Sequence, residues 1–416
     1  MSELPHAPSR LAAFSHPAFM RYWLSRFWAT FAVQILSVAV GWQVYDLTRD
    51  PLDLGIIGIV QFLPMLLLVF VTGSMADRYG HRRVMLYSVV VEVLCAAAML
   101  GFVLADISTP LPIFVALTVL AVARAFFGPA SQSLVVHLVP KRDFANAVGW
   151  NSSAWQIASI VGPVAGGLLY GVGAAVAYGC ATVMLVVSLG LLLLIPEAPV
   201  AAEVRKLTFA SLFDGLHFIR DQKIVLGAIS LDLFAVLLGG AVALMPVYAR
   251  DILVLGPWGL GLLRAAPGIG AVLTGLLLMA IPIRDQAGRI LLLFVALFGV
   301  FTVGFGLSTT PWLSILMLAL LGAADMISVV IRETLLQLWT PDAVRGRVNA
   351  VNMVFLGASN ELGEFRAGLM AAWLGAVPAV VIGGVGAVAV AGLWAWLFPG
   401  LRDARYLDGR QHDETA

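Results

Sequence analysis

Long apolar runs separated by short polar breaks recur along the whole chain. Each run has about the 20 residues that a helix needs to cross a bilayer. Because lipid offers the backbone no hydrogen-bond partner, such segments must be helical. The pattern predicts an all-α membrane protein with twelve transmembrane helices. The predicted spans lie near residues 22–47, 54–76, 84–105, 111–136, 147–170, 174–195, 223–249, 257–283, 290–308, 312–333, 349–373 and 377–398.

Composition agrees with this pattern. Hydrophobic residues make up 61% of the 416 positions and charged residues 12%, whereas soluble domains are about 25% charged. The spans leave no room for a soluble catalytic domain. The first 18 residues lack the features of a signal peptide, so we expect the first span to be retained. Cys95 and Cys180 lie inside apolar runs, which favours packing roles over a disulfide or a metal site.

The longest polar break divides the spans into two sets of six. It covers residues 196–222, and from Phe209 to Ile219 its apolar residues recur at helical spacing, which is typical of an amphipathic helix on the membrane surface. We therefore predict an N-terminal half over 1–195, a cytoplasmic linker over 196–222, and a C-terminal half over 223–416 that ends in a short cytoplasmic tail.

An internal repeat supports the two halves. The stretch at 133–151 aligns with the stretch at 334–352, pairing Pro140 with Pro341 and Asn151 with Asn352. A duplicated unit with an even number of helices indicates parallel repeats related by an axis along the membrane normal. That architecture predicts a cavity between the halves at mid-membrane.

Lysine and arginine are concentrated on one side of the predicted topology. The opposite side carries only Arg49 and Arg250. The positive-inside rule then places both termini in the cytoplasm. The excess of arginine over lysine is typical of GC-rich bacterial genomes, so we expect a multi-pass protein of a bacterial inner membrane.

Three short elements carry a family resemblance. "GSMADRYGHRR" at 73–83 resembles the G-x-x-x-D-R-x-G-R-R loop of the major facilitator superfamily. "LAVARAFFG" in the fourth span is similar to the L-x-x-x-R-x-x-Q-G element, with Phe127 in place of Gln. The fifth span resembles the G-x8-G-x3-G-P-x-x-G element of the antiporters, with Ala158 where Gly is usual. The matching residues are Gly73, Asp77, Arg78, Gly80, Arg82 and Arg83, then Leu120, Arg124 and Gly128, then Gly149, Gly162, Pro163 and Gly166.

Two longer phrases narrow the resemblance. "LDLFAVLLGGAVALMPVYA" in the seventh span and "GASNELGEF" in the eleventh look like the enterobactin exporter branch of that superfamily. The resemblance implies a transporter with the two-bundle fold, and this branch implies efflux of a siderophore or a drug-like compound.

The charged loop at 73–83 is interpreted as a gate latch. Asp77 would sit favourably at the positive N-terminal end of a neighbouring helix, by resemblance the eleventh span. Arg78, Arg82 and Arg83 would pair with carboxylates or lipid phosphates. The alternative is that Arg82 and Arg83 merely follow the positive-inside rule. In the fifth span, Gly149, Gly162, Pro163, Gly166 and Gly167 could form a pivot; the alternative is ordinary close helix packing.

Charged residues inside the spans call for a structural or functional explanation, because placing each one at the bilayer centre costs at least about 2.5–3.5 kcal/mol of free energy. Arg124 and Asp325 lie at equivalent depths in the repeat, so we expect both to face the cavity and Arg124 to pair with Asp325 or another carboxylate in one state. Asp232 is near mid-depth and is the leading candidate for a proton-binding or substrate-facing group. Arg332 and Glu333 are expected to snorkel to the cytoplasmic surface.

Two glutamates in the eleventh span form a further candidate. Glu361 and Glu364 share a helix face, and two like charges in an apolar medium favour a proton on at least one of them. The alternative is a static network with Arg366 or Arg264. For Glu92 in the third span, a static ion-pair network is as plausible as a functional role.

Aromatic and amide side chains are predicted to wall the cavity, a lining that suits a large amphipathic substrate. For any single ring, contact with lipid or a neighbouring helix is the alternative. The candidates are Trp23, Phe27, Phe31, Gln34, Trp42, Gln43, Phe126, Phe127, Trp155 and Gln156.

The sequence as a whole favours a monomeric secondary transporter that exports an amphipathic small molecule by proton antiport. Its expected partners are substrate, protons and membrane lipid, with no nucleic acid, metal or cofactor. Import of a solute is the alternative in the same class, and a non-transporting membrane scaffold is a remote one. An enzyme is not expected, since the six histidines lie in termini, loops or helix ends and no P-loop pattern occurs.

Overall fold

The computed structural model describes residues 11–196, 209–281, 283 and 285–404. The predicted C-terminal tail beyond residue 404, residues 197–208 of the predicted linker, and Arg284 lie outside the described residues.

The described residues are almost entirely helical and contain no strand. In the part of the chain that the structure describes, eleven helical segments are long and apolar enough to cross a membrane. The helix at the eleventh predicted span is more polar because it carries Glu361, Glu364 and Arg366. The predicted twelve-helix, all-α fold is confirmed. The helices are α1 (Pro17–Thr48), α2 (Pro51–Tyr79), α3 (His81–Leu104), α4 (Leu111–Leu134), α5 (Phe144–Val172), α6 (Ala174–Leu193), α7 (Phe209–Asp221), α8 (Lys223–Gly239), α9 (Met245–Val247), α10 (Gly256–Ala280), α11 (Ala287–Leu307), α12 (Pro311–Leu338), α13 (Asp342–Leu374), α14 (Ala376–Leu397) and α15 (Pro399–Arg402).

The seventh span is broken, where the apolar pattern predicts one helix over 223–249. α8 ends at Gly239, and the chain continues through a 3-10 turn, the short α9 and a π-helical turn at Tyr248–Ile252. Glycine weakens a helix interior, and proline removes a backbone donor. The adjacent Gly239 and Gly240, followed by Pro246, therefore explain the break.

α13 closes this break. A Cβ on Gly240 would lie 2.8 Å from the Gly363 carbonyl oxygen, so only glycine allows this approach of the two backbones. Arg366 donates from Nε to the Leu237 carbonyl at 2.9 Å and from Nη2 to the Leu238 carbonyl. These are carbonyls that the end of α8 leaves without helical partners. Arg366 thus caps a helix end inside the bundle.

The chain folds as two compact units. The first comprises residues 1–39, 67–107 and 111–206, and the second comprises 40–66, 108–110 and 207–416. The ends of α1 and α2 that meet at their connection therefore pack within the second unit. The predicted boundary between two six-helix halves, with a linker over 196–222, stays a prediction.

Small residues let the helices approach closely in each unit. In the first unit, a Cβ on Gly166 would lie 3.0 Å from Ile35 Cα, so α5 rests directly on the backbone of α1. In the second unit, a Cβ on Gly368 of α13 would lie 2.7 Å from the Cα atom of Gly55 in α2. Such contacts are the usual basis of helix packing in membranes.

Valine at Gly166 should destabilise the protein more than valine at Gly149 of the same helix. At Gly166 the new side chain meets the α1 backbone, and overpacking typically costs about 1–3 kcal/mol. At Gly149 an added Cβ meets nothing within 4 Å. Thermal melting in one detergent should show a lowered midpoint for Gly166→Val and a smaller change for Gly149→Val. Equal melting of the two variants would contradict the close packing of α1 and α5.

Candidate functional site

A buried ion pair joins α8 to α12 in the second unit. The Asp232 carboxylate contacts the Arg332 guanidinium, and the two residues are only 8% and 2% exposed. The prediction that Arg332 snorkels to the surface is wrong. Its side chain points into the unit because Asp232 neutralises it there, and removing one partner of such a pair leaves an uncompensated buried charge.

A small cavity lies beside this pair. It measures about 10 Å³ and is lined by Asp232, Asp325, Ser328 and Phe298, among others. This is close to the space that one water molecule occupies. On α12, Asp325, Ser328 and Arg332 follow each other at spacings of three and four residues, so they share one helix face. The fold thus brings together two of the predicted coupling residues, Asp232 and Asp325.

The two glutamates of α13 lie close to α2 in the same unit. An added Cβ on Gly58 would lie 3.5 Å from the Glu361 Oε2 atom and 3.3 Å from the Glu364 Cβ atom. Both glutamates interact electrostatically with Arg264 of α10, whose guanidinium is 3.5 Å from the corresponding position at Gly41 of α1. Arg264 therefore neutralises part of the charge on the two glutamates.

In the first unit the intramembrane arginine pairs with a glutamate. Arg124 Nη1 lies 3.7 Å from Glu92 Oε1, and Glu92 is 0% exposed. The guanidinium also lies 5.5 Å from the centre of the Phe127 ring, a distance that suits a cation–π contact. Phe127, predicted to wall a cavity, is buried here beside the arginine.

The segment 73–83, predicted as a loop, is helical except at Gly80, which joins the end of α2 to the start of α3. Gly80 has φ +89° and precedes α3, a conformation that only glycine adopts easily. Arg82 donates to the carbonyls of Leu192 and Leu193 at 3.1 and 2.9 Å, at the end of α6. Asp77 Oδ1 lies 3.9 Å from His81 Nε2. Arg82 therefore caps α6, whereas the gating role of Asp77 and Arg78 stays a prediction.

The predicted pivot on α5 has two different parts. Gly162, Pro163, Gly166 and Gly167 are buried, with Gly162 and Gly166 against α1. Gly149 is exposed and has open space where a Cβ would point.

The predicted cavity residues also lie in different environments, some buried in the packing and some exposed. Gln34 packs against Gly162, Gln43 is buried, and Phe126 is half-buried. Trp155 is exposed and, with Gln156, lines a cavity within the first unit.

Sequence reasoning missed a cluster of charges where α1 meets the end of the seventh span, within the second unit. Arg250 forms an ion pair with Asp46, and its guanidinium lies 5.4 Å from the centre of the Trp42 ring. The Tyr45 hydroxyl donates to Asp251, whose Oδ1 is 3.5 Å from Arg49 Nη1. The available signal was that Arg49 and Arg250, the two basic residues predicted for this side, each have an aspartate as a chain neighbour. We name Trp42, Tyr45, Asp46, Arg49, Arg250 and Asp251 the Arg250 cluster.

A metal centre finds no support in the described part of the chain, where no three His, Cys, Asp or Glu side chains gather closely enough to hold an ion.

The family model described as "Transmembrane secretion effector" matches residues 8–408. The protein named enterobactin exporter EntS in Citrobacter koseri is 27% identical over 403 residues, covering 94% of each chain. The protein of the same name in Escherichia coli O81 is 27% identical over 343 residues, covering 81% of each.

Solved structures share the fold at low identity. The nucleoside transporter NupG has a TM-score of 0.69 at 14% identity, covering 92% of this chain and 99% of that one. A bacterial homologue of the iron transporter ferroportin has a TM-score of 0.68 at 16% identity, covering 93% and 99%.

The family model spans nearly the whole chain, and the transporter structures superpose over more than nine-tenths of it. The chain therefore belongs to the transmembrane secretion effector family within the major facilitator superfamily, and it is a multi-pass membrane transporter rather than an enzyme.

Proposed function

We propose that the protein exports an amphipathic small molecule, of the siderophore or drug-like kind, by proton antiport across a bacterial inner membrane. It acts as a monomer with its arginine-rich side in the cytoplasm. Two relatives named enterobactin exporters, 27% identical to this chain, support the direction and the substrate class. The antiporter-like element of α5 supports proton antiport. The unequal distribution of Lys and Arg supports the cytoplasmic placement of the arginine-rich side.

The buried pair of Asp232 and Arg332 beside Asp325 is the observation that carries the proton coupling. The pair is neutral only while both partners are ionised and in contact. A movement of α12 away from α8 would leave the Asp232 charge buried and unpaired, and a proton would neutralise it. The water-sized cavity between Asp232 and Asp325 offers a path for that proton. Coupling thus follows from the separation of one ion pair.

Alternating access requires that contacts at each membrane side form and break in turn. The Arg250 cluster and the glycine contacts of α2 with α13 tie residues 40–66 to the second half of the sequence. Opening at that side must break them. At the arginine-rich side, Asp77, Arg78 and Arg82 at the junction of α2 and α3 act as the latch. The buried glycines of α5 let α1 and α5 move while staying in contact.

Removing the titratable group at Asp325 should abolish proton coupling while leaving the bundle folded. For Asp325→Asn in proteoliposomes, we expect loss of transport driven by an imposed pH gradient, with exchange of labelled substrate between the two sides retained. The double variant Asp232→Asn/Arg332→Gln should behave likewise, because it removes both charges and avoids the roughly 3–5 kcal/mol penalty of breaking one partner of a buried pair. Transport of catecholate siderophores and lipophilic dyes is followed in parallel.

The double variant Glu92→Gln/Arg124→Gln supplies the matched control, since it also removes both charges of an intramembrane pair, in the other unit. It should retain the dependence on the pH gradient. If Asp325→Asn and the double variant keep full gradient-driven transport, the proton assignment is wrong. If substrate and protons move in the same direction, the protein is an importer.

Weakening the Arg250 cluster should make it easier for the protein to open at the membrane side where the cluster lies. For Arg250→Gln we expect up to about fivefold faster hydrogen exchange in residues 40–66, because partly exposed ion pairs contribute about 0–1 kcal/mol each. Mass spectrometry of the purified protein in nanodiscs would measure this exchange. Arg142→Gln, an exposed arginine outside the cluster, should leave it unchanged, and equal exchange in both variants would remove the cluster from the gating mechanism.

A further inference from the structure

The break in α8 leaves two carbonyl groups that a continuous helix would satisfy. In an uninterrupted helix, the carbonyls of Leu237 and Leu238 would accept hydrogens from the N–H groups of Ala241 and Val242. Because α8 ends before these residues, the two carbonyls instead receive hydrogens from Nε and Nη2 of Arg366. The guanidinium therefore replaces the hydrogen bonds of the next helical turn.

α13 and α14 close tightly around the same carbonyls. A Cβ on Gly363 of α13 would lie 2.9 Å from the Val236 carbonyl oxygen. A Cβ on Gly383 of α14 would overlap the Leu238 carbonyl oxygen and lie 3.0 Å from Arg366 Nη2. Space that cannot hold a methyl group cannot hold a water molecule. The carbonyls therefore depend on a donor from the protein itself, as non-helical backbone inside a membrane requires.

The charge of Arg366 is balanced by the end of α8 rather than by a carboxylate. Its remaining contact runs from Nη1 to the Met370 sulfur at 2.9 Å, and none of its partners among the described residues is acidic. The C-terminal end of a helix carries a partial negative charge that stabilises a nearby cation. If α8 became continuous, that end would move away from the guanidinium. The half-buried guanidinium and the break therefore stabilise each other.

The segment after the break carries part of the Arg250 cluster. The π-helical turn at Tyr248–Ile252 contains Arg250 and Asp251. A helix advances by about 1.5 Å per residue with about 3.6 residues per turn. Continuation of α8 through Gly240 would therefore place these two side chains at a different height and on a different face. The ion pair of Arg250 with Asp46 thus depends on the break.

We propose that Arg366 is a positioning residue for transport. By holding α8 broken, it keeps the Arg250 cluster assembled, and its release from the carbonyls of Leu237 and Leu238 accompanies opening at that membrane side. The effect on opening rests on the gating role proposed above for the Arg250 cluster. The effect on the continuity of α8 is independent of substrate and direction of transport.

Hydrogen exchange in Arg366→Met tests the continuity of α8, with the full chain in nanodiscs. Methionine keeps an unbranched apolar side chain, removes the charge and leaves no carboxylate without its partner. The carbonyls of Leu237 and Leu238 then find donors through continuation of the helix. Exchange at the Ala241 and Val242 amides should slow by at least about fivefold, the factor that corresponds to one hydrogen bond. General loss of structure would instead speed it.

Two further readouts in the same variant test the link to opening. Exchange in residues 40–66 should become faster, as in Arg250→Gln, because the Arg250 cluster loses its geometry. The maximal rate of transport of the siderophore and dye probes should fall at least about fivefold, the factor for one hydrogen bond. The concentration for half-maximal rate should stay within about twofold, because a positioning residue changes a conformational step rather than binding.

Arg366→Lys and Arg345→Met are the matched controls. Lysine keeps the charge and can still donate to the two carbonyls, so exchange at the two amides should stay near that of the parent. Arg345 Nη2 donates to the carbonyls of Gln337 and Thr340 at 3.2 Å each, where α12 ends. Arg345→Met therefore removes a similar cap elsewhere and should leave the two amides unchanged. Unchanged or faster exchange at these amides in Arg366→Met would overturn the positioning role.

The exchange and transport results separate this inference from the proposed function. Slower exchange at the two amides without faster exchange in residues 40–66 would overturn the link between Arg366 and opening. Gradient-driven transport by the parent, with unchanged exchange in Arg366→Met, would overturn the role of Arg366 and leave the export function standing. The expected exchange pattern without gradient-driven movement of any probe would support the role of Arg366 and overturn proton-coupled export.

Discussion

Charge inside an apolar helix bundle is the constraint on which the second unit depends. Arg332 and Asp232 are tolerated there because each neutralises the other, and their contact sets how α12 lies against α8. A buried pair adds little net stability compared with apolar side chains of the same size. The presence of the buried pair is better explained if the protein uses a group whose charge state can change, as a proton-coupled transporter would.

The broken seventh span shows how the backbone meets the same constraint. An interrupted helix exposes carbonyl groups that lipid cannot satisfy. Here α13 supplies both the donor, Arg366, and the space, Gly363, so the break is sealed by protein. Arg366 is thus engaged in capping, while the neighbouring Glu361 and Glu364 interact with Arg264. One helix therefore carries a structural charge and a candidate coupling pair within six residues.

The two units share a design in which an arginine and a carboxylate meet inside the bundle. Glu92 pairs with Arg124 in the first and Asp232 with Arg332 in the second. The second pair adjoins a small cavity that Asp325 also lines. The first instead packs against the ring of Phe127. The carboxylate of Asp325 beside the second pair makes that pair the better candidate for proton transfer.

The sequence by itself determined the all-α membrane fold and its twelve crossings, because span length and apolar composition follow from bilayer thickness and backbone hydrogen bonding. It also singled out Asp232 and Asp325 as charges that need a partner. The tertiary structure alone decided that Asp232 pairs with Arg332 and that Asp325 lines the cavity beside that pair. From the sequence, Arg332 is predicted to snorkel because it lies near a helix end. Its side chain instead turns inward to the Asp232 carboxylate, about 100 positions away in sequence. Hydropathy records the composition of each helix, whereas the rotation of one helix against another depends on side chains of both.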